Sequence, residues 1–282
     1  MQIKKTNSRT RNCKIPEPQP VKIATWNINS VRLRLPQVLR LLDEHRPDVL
    51  CLQETKTPDE FFPTEAFAAH RYAHTHIHGM KGYNGVAMIS RVPLNALEIR
   101  HSCGKEDCRH IAATVPDGTE IHCIYIPAGG DIPDPDQNEK FAHKLQFVDE
   151  LTEWWRMARA SSRPMVAVGD FNIAPLETDV WSHKQLLTVV SHTPIEVEKL
   201  NAMQRSIGWV DAVRHFVPPE EKLFTWWSYR NRDWRASDRG RRLDHIWVTP
   251  VLQDRLRAAT VARDTRDWEG PSDHVPVVVE LD

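Results

Sequence analysis

The chain holds 282 residues, with 37 Lys and Arg against 38 Asp and Glu, so its formal net charge is −1. That balance excludes a bulk polycation, and any binding of phosphate or nucleic acid must come from a local basic patch. Hydrophobic residues at 40% and charged residues at 27% exclude a disordered chain, and no apolar run approaches the roughly 20 residues of a bilayer span.

Residues 1–20 carry Lys4, Lys5, Arg9, Arg11 and Lys14 with no acid before Glu17, then Pro16, Pro18 and Pro20. They read as a solvated basic tail, with an organelle transit peptide as the lesser alternative because no amphipathic apolar face is visible. Five cysteines, an odd number, and the lack of a secretory apolar segment predict a reducing, cytoplasmic setting with no membrane partner.

From residue 21 the pattern alternates. Val21–Ile28 reads as a buried strand, Val31–His45 as an amphipathic helix, and Asp48–Gln53 as a second strand. Further strands are expected at Gly85–Ser90, Ile111–Val115, Glu120–Ile126, Met165–Val168, Asp244–Val248 and Val275–Leu281. Phe141, Leu145, Val148 and Leu151 recur at helical spacing and predict a helix over Phe141–Ala158. Shorter helices are expected near His183–Val190 and Glu196–Ile207. With no repeat and no linker, residues 21–282 read as one α/β domain, and nothing suggests an oligomer.

Polar residues gather where strands end or begin: Asn27, Asn29, Glu54, Tyr125, Asp170, Asn172, Asp244, Asp273 and His274. Strand ends that meet at one rim of a sheet are where α/β proteins build sites. Carboxylates and carboxamides in such numbers suit a hard cation, Mg²⁺ first and Mn²⁺ as a substitute. Attack of water on a phosphodiester needs a bound metal or cationic donors for the added negative charge, and a base to deprotonate the water.

Residues 222–242 hold seven cations against Asp233 and Asp238, a local excess of +5, with Trp226, Trp227, Tyr229 and Trp234 between them. Cations for a backbone and flat rings for a sugar or base suit a DNA-binding groove, with Arg230, Arg241 and Arg242 as its candidates. A solvated surface is the competing reading of the arginines. Strand alternation puts Trp227 opposite Trp226, so a core position competes equally with the groove for Trp227, whereas Trp154-Trp155 read as core.

The segments WNINS, QETK, NGVAM, GDFN, RRLDHIWV and SDHVPV occur in the order found in exonuclease III-type AP endonucleases. The chain resembles this branch of the endonuclease/exonuclease/phosphatase superfamily from about residue 21 onward. GDFN and SDH mark the superfamily, whereas QETK with TWWSYR and GRRLDH is narrower. The resemblance implies an α/β fold: a four-layered sandwich of two mixed, mostly antiparallel sheets flanked by helices.

It also implies roles. Glu54 is the principal metal ligand, with Asn27 and Asp273 near the metal. Asp170 orients or deprotonates the attacking water, and Asn172 hydrogen-bonds the transition state. His274, held by Asp244, contacts the scissile phosphate, as does Tyr125. The general base stays open among Asp170, Tyr125 and His274, and so does a second metal near Asp170, Asn172 and His274. Lys56 supports Glu54 or a DNA phosphate, and Trp226 forms a wall of the abasic-sugar pocket. The implied activity is Mg²⁺-dependent incision of double-stranded DNA 5′ to abasic sites, with 3′→5′ exonuclease and 3′-end cleaning. Action on RNA or a nucleotide, or a catalytically silent DNA-binding protein, are the alternatives.

Two segments depart from the family. Ala128 stands where the family has asparagine, and Asp131 adds a negative charge to a DNA-facing loop. His101, Cys103, Cys108 and His110 have residue types able to hold a structural Zn²⁺ in a non-standard spacing, against a plain polar loop.

Overall fold

The structure, a computed structural model, describes residues 20–231 and 233–282. The expected tail falls outside these residues apart from the exposed Pro20, as does Arg232 of the basic stretch.

In chain order the first half comprises β1 (Val21–Asn27), α1 (Leu35–His45), β2 (Val49–Gln53), α2 (Thr64–Ala69), β3 (His74–His78), β4 (Val86–Ser90), β5 (Asn95–Ile99), β6 (His110–Thr114) and β7 (Glu120–Tyr125). Then follow α3 (Glu139–Ala158), β8 (Met165–Asp170), α4 (His183–Leu186), α5 (Pro194–Arg205), β9 (Val210–Asp211), β10 (Trp226–Trp227), α6 (Trp234–Ser237), β11 (Gly240–Arg241), β12 (Asp244–Val248), β13 (Leu256–Val261) and β14 (Val277–Leu281).

Two six-stranded sheets result, ordered β13-β14-β1-β2-β4-β3 and β5-β6-β7-β8-β12-β9, with β10 and β11 as a separate ribbon. Each sheet has one parallel pair near its centre, β1 with β2 and β7 with β8, and antiparallel neighbours elsewhere. The sheets share a core in which Ile23, Val49 and Cys51 meet Cys123, Val168 and Ile246. Residues alternating with these point outward: Ala24, Trp26, Leu50 and Leu52 pack on Val38, Leu41 and Leu42 of α1. On the other side Ile124 and Ala167 pack on Phe147, Val148 and Leu151 of α3 and Leu200 and Met203 of α5. Both faces of the central strands are therefore buried, which explains their unbroken apolar runs. The chain is an α/β sandwich of four layers.

The helix starts are local chemistry. Pro36 lies in the first turn of α1, where its missing N–H costs nothing, so the helix begins at Leu35 and residues 31–34 form a turn. Thr193 accepts from Glu196 N while the Glu196 carboxylate returns to Thr193 N, and this capping box starts α5 at Pro194, earlier than the apolar spacing implied. Pro276 delays β14 to Val277, because Val275 N is spent on Thr225 O.

Candidate active site

The two parallel pairs place the C-terminal ends of β1, β2, β7 and β8 at one rim. β12 and β14 run antiparallel to their neighbours, so their beginnings reach the same rim. Register fixes the details: Tyr125 pairs with Asp170, and Asp170 with Asp244. Gly169 makes this crowding possible. Its φ is +146°, and a Cβ there would sit 1.8 Å from Ile124 O.

Glu54, Lys56, Asn29 and Asn172 have φ of 51°, 51°, 48° and 54°, left-handed values that cost non-glycine residues about 1–3 kcal/mol each. The chain holds these conformations where it leaves strands β1, β2 and β8.

The side chains interlock. Asn27 Nδ2 donates to Glu54 Oε1 at 3.0 Å and to Asp170 Oδ2 at 2.9 Å. The Tyr125 hydroxyl donates to Glu54 Oε1 at 2.8 Å, and Lys56 Nζ pairs with Glu54 Oε2 at 2.7 Å. Asn172 donates through its backbone N to Asp170 Oδ1 at 2.9 Å and through Nδ2 to Asp170 Oδ2 at 3.1 Å. His274 Nδ1 lies 2.8 Å from Asp244 Oδ2, and its Nε2 faces Asp170 Oδ2 at 3.6 Å. Thr225 Oγ1 donates to the same Asp244 oxygen at 2.6 Å. Asp273 accepts from Asn29 Nδ2 at 3.2 Å and from Trp226 Nε1 at 2.9 Å.

Burial pushes the Asp170 carboxyl up, with the Asp244 and Glu54 charges adding to it and His274 opposing. Burial alone would lower His274, but Asp244 and Asp170 hold its imidazolium well above the usual range. Burial likewise works against the Glu54 carboxylate, yet Lys56 and the Asn27 donor bring it below its ordinary value. Tyr125 is driven well up by burial and by the Glu54 and Asp170 charges, so its phenol stays a donor at neutral pH.

Four carboxylates thus crowd one rim, all of them oxygen donors, and burial disfavours the charge on Asp170. A hard divalent cation is the chemistry such a set accepts. Asp170, Asp244 and His274 also bring ligand atoms within 4.8 Å of one another.

Above the rim opens a cleft of about 550 Å³ lined by Glu54, Asp170, Asn172, Asp273 and His274. Trp226, Arg230 and Arg241 line it too, as do Ala128 and Asp131. Trp227 lies on the opposite side, fully buried. Trp181 and Arg239, with the Arg239 guanidinium 4.8 Å over the indole, complete the wall. Trp181 had no signal in the sequence, since a lone indole before a short helix looks like core.

Two expectations need correction. Arg242 does not face the cleft: it is 1% exposed and pairs with Asp179 Oδ1 at 2.8 Å and Asp211 Oδ2 at 2.6 Å. It follows Arg241 in the chain, and strand alternation turns it inward. The zinc reading fails as well. His110 is buried on β6 with Nε2 3.0 Å from His122 Nδ1, while His101 packs its ring on His78. Burial pushes the Cys103 thiol up to about 12 and Cys108 up to about 11. Among the described residues the only His, Cys, Asp or Glu group with three converging ligand atoms is Asp170, Asp244 and His274. Cys103 and Cys108 are free thiols.

The profile of the Endonuclease/Exonuclease/phosphatase family matches residues 24–274. Exodeoxyribonuclease III of Haemophilus influenzae is 29% identical over 272 residues, covering 93% of this chain and 100% of that one. An AP endonuclease from Archaeoglobus fulgidus superposes with a TM-score of 0.86 at 33% identity, over 93% of this chain and 99% of that one. A 3′ phosphatase from Neisseria, bound to product DNA hairpin, gives 0.84 at 35% identity over 93% and 99%. The chain belongs to the exonuclease III/AP endonuclease branch of the endonuclease/exonuclease/phosphatase family. It is a hydrolytic nuclease, of the class that repairs DNA. No helix among the described residues is long and apolar enough to cross a membrane.

Proposed function

We propose that the protein is a Mg²⁺-dependent phosphodiesterase that incises duplex DNA 5′ to abasic sites and trims or cleans 3′ ends. The observation that carries this reading is the joint placement of Glu54, Asp170 and His274 under a cleft walled by Trp226, Arg230 and Arg241. An enzyme of small phosphorylated metabolites has little use for that wall, whereas a DNA strand needs cations for phosphates and a ring for the sugar. The AP endonuclease and the DNA-bound 3′ phosphatase among its structural relatives support the same substrate class.

Glu54, with Asn27 and Asp273 near it, would hold the metal, which when bound would supply Lewis-acid stabilisation of the charge that grows on the phosphate. His274, with Nδ1 fixed by Asp244, points Nε2 at the same space and donates to a phosphate oxygen. Tyr125 adds a neutral donor. Asp170, gripped by Asn27 and Asn172, accepts a proton from the attacking water, and its raised affinity for protons suits that task. Lys56 steadies Glu54 and donates to Asn29 Oδ1 at 2.6 Å.

A labelled duplex with one tetrahydrofuran abasic analogue tests this in EDTA, Mg²⁺ and Mn²⁺. Incision on the 5′ side of the analogue is expected only with metal. An uncut duplex beside efficient hydrolysis of RNA or a nucleotide would replace the reading with that substrate.

A further inference from the structure

Arg241 and Arg242 are neighbours in sequence with opposite surroundings. Arg242 is enclosed by two carboxylates. Arg241 lines the cleft, and no carboxylate lies within ion-pair distance of it among the described residues. Its Nη1 donates to Val190 O at 2.9 Å and Ser191 Oγ at 2.7 Å, and its Nε is buried without a partner. Glu196, whose field it feels, is already paired with Lys144. A guanidinium withdrawn from water and lacking a counter-ion is unfavourable until an anion arrives, and its planar fork suits a carboxylate or phosphate.

Its position says which anion. The guanidinium stands 5.3 Å from the centroid of the Trp226 ring. Trp226 in turn donates to Asp273 and bridges the His274 backbone. The free charge therefore sits one aromatic ring away from the residues that take the scissile phosphate.

We propose that Arg241 is a specificity-determining residue that receives an anionic group on the sugar, or sugar fragment, attached to the scissile phosphate. The cleft then favours DNA ends whose blocking remnant carries a carboxylate or phosphate over ends with a neutral terminal nucleotide. The inference rests on the nuclease reading above. The reaction itself is unchanged: water adds to phosphorus, the P–O3′ bond breaks, O3′ takes a proton, and the remnant leaves with its phosphate.

The test compares kcat/KM of the unaltered protein, Arg241→Gln and Arg241→Lys on three duplexes: a 3′-phosphoglycolate end, a 3′-hydroxyl end and an internal tetrahydrofuran site. Arg241→Gln is expected to lose about ten- to a hundredfold on the glycolate end beyond its loss on the 3′-hydroxyl end, the range of a charge-assisted hydrogen bond. Arg241→Lys should recover part of that difference. A matching loss at tetrahydrofuran assigns Arg241 to the next phosphate as well, and no loss there confines it to a terminal carboxylate. Equal losses on all three substrates would overturn the inference and leave the nuclease reading intact. If the unaltered protein cut none of them, the nuclease reading would fall and this inference with it.

Discussion

Asp170 is a carboxylate that the fold makes uncomfortable. It lies 1% exposed beside Asp244 and Glu54, and burial raises its affinity for a proton. A group held this way destabilises the folded chain at neutral pH, so removing its charge relieves the site while removing its chemistry. Asp170→Asn is expected to lower incision by about two to four orders of magnitude, the scale of lost water activation. In EDTA its melting temperature should equal or exceed that of the unaltered protein. A variant that melts well below it would show that the carboxylate is needed for folding rather than for chemistry.

Two arginines separate at the same scale. Arg230 is exposed on the cleft wall and joins no ion pair among the described residues, whereas Arg242 is sealed between Asp179 and Asp211. Arg230→Ala should flatten the log–log salt dependence of DNA binding by up to about one unit, at little cost in stability. Arg242→Ala takes the only ion-pair partner from Asp211 and leaves Asp179 with Arg214 alone, and should lower stability by about 3 kcal/mol. A salt slope altered by the Arg242 change at constant melting temperature would return it to the DNA surface.

Elements explain what the sequence disclosed and what it hid. Central strands such as Val49–Gln53 and Met165–Asp170 are buried on both faces, so they announce themselves as apolar runs. Edge strands do not. β3 reads His-Thr-His-Ile-His with one buried residue, and β5 is mostly exposed with a shifted register, so neither carried a signal. The polar groups that converge at the rim were legible because strand ends display them in short polar clusters. The cleft wall was half legible: an arginine-rich stretch names its cations but not which face each one takes. Alternation on β11 and after it, visible only once β10 and β11 pair, sorts Arg241 outward and Arg242 inward. Gly169 marks the closest packing between elements at the site. Gly169→Ala should force β7 and β8 apart at Ile124, displace Asp170 and lower both stability and activity. Unchanged activity in that variant would mean that the rim tolerates a shift at the β7–β8 pair.

At the scale of the whole molecule, several histidines are built into the packed layers as neutral rings. His245, on β12 beneath the Ile173 carbonyl, is held down to about 4, first by burial and then by the Arg242 charge, with Asp211 and Asp179 opposing. Its Nε2 faces that carbonyl at 2.9 Å and so carries the proton, while Nδ1 is buried with no partner. A second proton would therefore be an unsatisfied donor beside a cation. His110 is lowered by burial and by His122 and Arg100, and His122 by burial against the pull of Glu120. For each of these the folded value lies below the unfolded 6.5, so the unfolded chain takes up the proton first as pH falls. Their contribution to stability is complete above about pH 6.5 and is lost on acidification, for His245 between about 6.5 and 4 and by up to about 3 kcal/mol. Melting temperatures should begin to fall below about pH 6.5, before ordinary carboxylates titrate. His245→Gln keeps a side-chain donor for the Ile173 carbonyl and removes the titration, so its acid limb should be shallower even if its stability at pH 7 is lower. Parallel acid limbs for the two proteins would show that His245 is not among the groups that set the acid limit of this fold.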